Sequence, residues 1–185
     1  RLGGVVTIHS SFVTDNAATA HGGGIYVSGR LGITNTTLAK NTAAGSSVEG
    51  GGIFVANGAD VVISHSVVST NSASSRGGGI SCQGDTRIYD CVLENNSTWA
   101  GGAINSAKGW SPYCENSTFR RNTADYGGAV FVREWGPYSP SFIHCQFEEN
   151  TASLGGGAVH SSGLSLATFD RCTFTTNRAN YFGGG

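Results

Sequence analysis

Seven polar residues recur at one phase of this chain: Ser10, Asn35, His65, Asp90, Asn116, His144 and Arg171, each three positions before an apolar residue. Glu115 and Asp170 sit one position to the side. If Asp90 and Glu115 fell on neighbouring strands, they would resemble the carboxylate pair of a glycoside hydrolase, whose members stand about 5 to 9.5 Å apart. That is the catalytic reading, a polysaccharide-cleaving enzyme. The plain reading is solvated side chains on a turn, and it is the one adopted, because no other catalytic constellation accompanies the pair. Five Cys without a C-x-x-C pair argue against zinc. The repeated G-G-x-G-x-D of calcium-binding β-helices is absent. The position after each repeated Asn is too mixed for a flat Thr face. The chain therefore reads as non-catalytic, with no metal and no cofactor.

What positions these residues is a repeat. Asn16, Asn41, Asn71, Asn96, Asn122, Asn150 and Asn177 are spaced 25, 30, 25, 26, 28 and 27 residues apart, a period near 27 that belongs to solenoids. Three residues before each Asn stands Val13, Leu38, Val68, Leu93, Phe119, Phe147 or Phe174. Five earlier stands a second column, Ile8, Ile33, Ile63, Ile88, Cys114, Phe142 and Phe169. A small residue follows two after the Asn, and then G-G-[GA]-[IV] ends in Ile25, Ile53, Ile80, Ile104, Val130 or Val159. Apolar columns two or five residues apart, without a sustained 3.6 period, favour short strands over helices. Three short strands per coil, stacked at about 4.8 Å, make a right-handed parallel β-helix of six to seven coils. In it the Asn residues form a structural ladder at a corner whose backbone is left-handed, and the paired glycines supply positive φ or close backbone approach.

Composition agrees with an ordered, repetitive chain. Of 185 residues 29 are Gly and only 12% are charged, yet 38% are hydrophobic and regularly placed. A net charge of −1 gives no footprint for nucleic acid, and no apolar run approaches the roughly 18 residues of a spanning helix. The expectation is one β-helix segment over residues 1–185 of a longer chain, not itself inserted in a membrane. The cysteine usage fits an oxidising compartment.

The motifs "FRRN", "FEEN" and "FTTN" with "GGAI" and "GGAV" resemble the F-x-x-N and G-G-A-[ILV] repeat of the chlamydial polymorphic outer membrane proteins. Similar repeats occur in large surface proteins of algae and other protists. The resemblance implies a surface-exposed adhesive β-helix, and, in some members, a membrane β-barrel further along the chain. The first four turns depart from it by placing Val or Leu where the family has Phe. The functional expectation is an extracellular rigid stalk or contact surface; a filament or wall component packed against other chains is the neighbouring alternative. Partners would be other protein chains, further coils of the same protein, or glycans.

Particular residues carry further expectations. Cys145 and Cys172 share one column on adjacent coils, within disulfide reach. Among the sequons, Asn35 and Asn116 face outward as glycan acceptors, whereas Asn96 belongs to the inward ladder. Glu94, Arg120 and Glu148 alternate in sign along three coils. The column Tyr26, Phe54, Ser81, Asn105, Phe131 and His160 points outward, as a face to be covered by a neighbouring segment of a larger protein or by a partner. Two lengthened connections, "AKGWSPY" and "VREWGPYSPS", place Trp110, Tyr113, Trp135 and Tyr138 in one aromatic binding patch with Arg133 and Glu134 at its rim.

Overall fold

The computed structural model describes residues 4–107, 109–134, 139–163 and 166–183. They form 26 short strands, with no helix among the described residues. Every pairing is parallel and joins one coil to the next, so the chain is a parallel β-helix. Two seven-stranded sheets run its length, from Val5–His9 to Thr168–Asp170 and from Phe12–Thr14 to Thr173–Thr175. A six-stranded third sheet contains the residues that follow the paired glycines, Ile25–Val27 to Val159–Gly163.

Five of the coils hold four strand segments rather than the expected three. The extra one is the pair of residues after the ladder Asn, for example Thr42–Ala43 and Ser72–Ala73. Its backbone keeps bonding from coil to coil, Thr42 N–H to Asn16 O at 2.8 Å and Ser72 N–H to Asn41 O at 2.9 Å. Two three-stranded sheets result, linked through bridges of Ser97 to Ser72 and to Thr123.

Three corners per coil turn through a single left-handed residue. At the first corner it is Ser10, Asn35, His65, Asp90, Asn116, His144 or Arg171, with φ between 46° and 52°. At the second it is Asp15, Lys40, Thr70, Asn95, Arg121, Glu149 or Thr176, the residue before the ladder Asn. The strain the sequence assigned to the ladder Asn therefore falls on its neighbour. At the third corner it is always Gly, and φ is not the whole reason. A Cβ on Gly77 would stand 2.4 Å from Ile80 O, a backbone atom that cannot yield. Side chains at the first two corners project outward, so Asp, Lys, Arg, His and Thr all serve there at the ordinary cost of a left-handed conformation.

The interior is a stack of like on like. Phe119, Phe147 and Phe174 lie nearly parallel at 4.8 and 4.7 Å, and Phe142 and Phe169 at 5.0 Å, with edge contacts between the two columns. Towards the N-terminus the same positions hold Leu93, Val68 and Leu38, all fully buried.

The Asn ladder runs unbroken through the bend. Each amide oxygen accepts from the backbone N–H and from Nδ2 of the preceding Asn, as Asn122 Oδ1 does from Asn96 at 3.0 and 3.1 Å. Each Nδ2 also reaches the carbonyl of an apolar residue one coil back, Asn96 to Val68 O at 2.9 Å. The five middle members are fully buried, and each meets its polar needs within the ladder.

A second ladder, unread in the sequence, follows the first corner. Ser11, Thr36, Ser66, Cys91, Ser117, Cys145 and Cys172 share one column, in which the side chain accepts the N–H of the coil before. Thr36 N–H bonds Ser66 Oγ and Cys91 N–H bonds Ser117 Oγ, both at 3.1 Å. The donor end of each group returns to the carbonyl two residues earlier, Ser66 to Ser64 at 2.7 Å and Cys145 to Ile143 at 3.3 Å. The thiols thus stand where hydroxyls stand in other coils.

Candidate binding groove

Most of the outward column of the third sheet is covered by the chain itself: Phe54, Ser81, Asn105 and Phe131 are buried, whereas Tyr26 stays exposed. The segment between the Asn corner and the Gly corner folds over it. In the N-terminal half this cover is polar: buried Glu49 accepts from Ser81 Oγ at 2.7 Å, Gln83 Nε2 at 2.9 Å and Arg76 at 3.1 Å. Phe54 lies between His21 and Tyr26, stacked at 4.4 and 5.3 Å.

In the C-terminal half the cover becomes aromatic and then stops. Phe131 and His160 stack at 5.4 Å with an interplanar angle of 5°. Tyr126 meets His160 edge-on at 5.0 Å, and Trp99 meets Tyr126 edge-on at 5.4 Å. Arg76 holds the far side of Trp99, 5.9 Å from its ring centroid. The covering column reads Glu49, Arg76, Ala100, Tyr126, Gly155 and Phe182, bridged coil to coil. Gly155 therefore sits where the preceding coil carries Tyr126, and beside it the cover has no side chain. A Cβ there would stand 3.1 Å from His160 Nδ1 and 3.6 Å from Tyr126 Cδ1.

Beside these rings lies a groove of about 400 Å³ lined by Trp99, Tyr126, Phe131, Arg133, His160, Ser162 and Gly163. Its size lies within the range of small-molecule clefts, roughly 300 to 1,000 Å³. Burial lowers the His160 pKa below the ordinary histidine range, so at neutral pH the imidazole is uncharged and offers one donor and one acceptor.

Of the residues singled out in the sequence, Phe131 and His160 of the outward column line this groove, and so does Arg133 of the expected patch. Tyr113 does not share its face: it belongs to the first sheet, in register with Arg87 and Ser141, packs against Tyr89 at 5.8 Å and donates to Glu115 at 2.9 Å. Trp110 is half-buried in the connection before it, and its carbonyl accepts from Ser106 Oγ at 2.8 Å. Glu134 ends the strand Val130–Glu134. Trp135 and Tyr138 lie outside the described residues. The single patch expected around Tyr113 and Arg133 is thus divided between two sheets, because the lengthened connection passes from one to the other.

The remaining positions are clear. Asn35 and Asn116 are exposed first-corner residues, whereas Asn96 is fully buried. Asp90 and Glu115 lie on adjacent coils but turn to different partners: Asp90 is 3.7 Å from His65, and Glu115 holds Tyr113. Arg120 and Arg121 both converge on Glu94, at 2.7 and 2.9 Å, and Glu148 lies in register with Arg120. Burial would raise the Glu94 pKa, but the bonds from Arg121 and Arg120 outweigh it and hold the carboxyl below the usual range. Cys145 and Cys172 are adjacent in the hydroxyl ladder, each as a thiol. Their sulfurs lie within reach of the carbonyls two residues earlier, Cys145 of Ile143 at 3.3 Å and Cys172 of Asp170 at 3.5 Å, which is the role the ladder asks of them.

Comparison with known proteins bears on the repeat as a whole. Residues 144–162, which hold the first-corner His144, the ladder Asn150 and the glycine corner of one coil, match the Chlamydia polymorphic membrane protein repeat. That coil carries a polymorphic-membrane-protein-type repeat. Beyond that segment, 147 residues are 28% identical to the metabotropic glutamate receptor-like protein R of Dictyostelium discoideum, covering 77% of this chain and 9% of that protein. The chain thus spans about a tenth of its relative's length. No solved structure matches it significantly.

Proposed function

We propose that this chain is a non-catalytic segment of an extracellular or cell-surface protein, a rigid spacer that meets its partners through its lateral faces. The supporting observation is the continuity of two polar ladders through all seven coils. Hydrogen bonds parallel to the long axis tie each coil to the next at side chain and backbone alike, so bending or slipping one coil breaks several at once. Six inter-coil steps of about 4.8 Å make a rod roughly 29 Å long. The outward corner residues take no part in the packed interior and are available for contact. Adhesion through such a surface is the use best suited to it.

Beads coated with the purified chain should be retained on cells or extracellular matrix under flow, and retention should survive Asp90→Asn and Glu115→Gln. Release of reducing ends from polysaccharides by the chain, abolished by those two substitutions, would replace this reading with the enzymatic one.

A further inference from the structure

The aromatic groove has the chemistry of a saccharide site, and we propose that it binds one pyranose ring of a glycan, stacked on Trp99 and Tyr126. The proposal rests on the contact-surface reading above and gives it a place and a ligand class. Four observations lead to it.

Trp99 keeps 42% of its surface exposed although it is held on both sides, by Tyr126 and by Arg76. A ring fixed in orientation and left bare offers apolar area at little further entropic cost. The groove is not simply apolar, since Ser162, Arg133 and the ring nitrogens of His160 stand among the aromatic residues. A purely hydrocarbon ligand would strip water from these groups without replacing it, a costly exchange. A sugar presents C–H faces for the rings and, around its edge, hydroxyls that donate and accept, which an uncharged imidazole and a serine hydroxyl can answer in both senses.

The opening itself is a local feature of the sequence. The coil "NTADY" places Tyr126 over the sheet, while the next coil, "NTASLGG", inserts a residue, shifts register between Ala124 and Tyr126, and puts Gly155 at the equivalent place. Gly155 does not need to be glycine for its backbone: its φ is not left-handed, and the nearest atom to a Cβ belongs to the His160 side chain. A side chain there would press on the His160 ring, which lines the groove, and glycine avoids that contact.

The test is binding of the purified chain to an array of immobilised neutral and acidic oligosaccharides, followed by calorimetric titration with the strongest array sugar and by NMR of the tryptophan indole N–H groups. The expected result is saturable binding that shifts the Trp99 indole resonance. Trp99→Ala should weaken it at least tenfold and Gly155→Leu should block it, with Trp99→Phe intermediate. Circular dichroism and melting of each variant separate lost binding from lost fold; should Gly155→Leu unfold, Gly155→Ala and Ser162→Ala supply the same comparison. Failure to bind any array sugar at millimolar concentration overturns the proposal, as does binding that Trp99→Ala leaves unchanged. Retention on cells that persists in Trp99→Ala would overturn the groove alone and leave the spacer reading standing; loss of retention by the unmodified chain would remove the reading beneath it.

Discussion

Asn96 gives both its backbone N–H and its Nδ2 to the amide oxygen of Asn122, and receives the same two bonds from Asn71 at 3.0 Å each. Replacing Asn96 by Ala strands two buried donors on Asn71 and removes the bond to Val68 O. At about 1 to 3 kcal/mol for each buried group left unsatisfied, Asn96→Ala should cost roughly 3 to 5 kcal/mol in denaturant unfolding. Asn177→Ala, at the half-exposed end of the ladder, should cost clearly less.

Phe147 is fully buried and touches four other rings. Phe147→Ala should destabilise by about 3 to 5 kcal/mol, burial and cavity together. The same change at Phe174, which is 39% exposed on the last coil, should cost less than half as much. Equilibrium unfolding of both variants checks the pair.

Glu94 supplies a pH dependence with a definite sign. Its carboxyl titrates lower in the fold than in the unfolded chain, because Arg121 and Arg120 outweigh the burial that opposes them. The stability it contributes is therefore present above the unfolded glutamate value, about 4.3, and is lost as pH falls through the lower folded value. The gap in melting temperature between wild type and Glu94→Gln should be widest near neutrality and close below pH 4; a gap that widens in acid would reverse the assignment.

The thiols should be unequal. Burial pushes Cys82 and Cys145 up to about 12 and Cys91 up to about 11, while Cys172 is only half-buried. Since the thiolate is the nucleophile, iodoacetamide at pH 8 should label Cys172 first and leave Cys82 and Cys114 unlabelled until the chain unfolds. Oxidative refolding should join Cys172 to Cys145, its neighbour in the column. Non-reducing peptide mapping that shows Cys172 paired elsewhere would count against that stacking.

In a eukaryotic secretory host, glycans should be attached to Asn35 and Asn116, whose side chains leave the first corner into solvent. Asn96 should stay bare, because its Nδ2 is committed to Val68 and Asn122. Intact-glycopeptide mass spectrometry distinguishes the three sites.

The repeat is legible because its signals are steric and recur at a fixed offset. Phe119, Phe147 and Phe174 occupy one place, and Gly at the third corner has no substitute where a Cβ would strike backbone. The hydroxyl ladder is harder to see, since Ser, Thr and Cys share a function there without sharing a name. The groove is only half legible by columns: Phe131 and His160 fall in the outward column, but Trp99 and Tyr126 do not fall in any. Those two come from the segment between Asn and Gly, which varies in length from coil to coil, so Trp99 and Tyr126 fall at different offsets from their Asn although they meet in space. A signal did exist: an aromatic residue between the Asn and the glycine corner in two consecutive coils, Trp99 and Tyr126, followed by a coil with Gly155 in that segment.

The first two corners bear on how such a chain can change. Their left-handed residues range from arginine to aspartate without altering the coil beneath them. Each corner column is therefore a line of display sites about 4.8 Å apart, on which substitutions register as a new exterior and not as a new fold. Genetic drift can rewrite those two lines freely while the glycine line and the asparagine line hold the text in place.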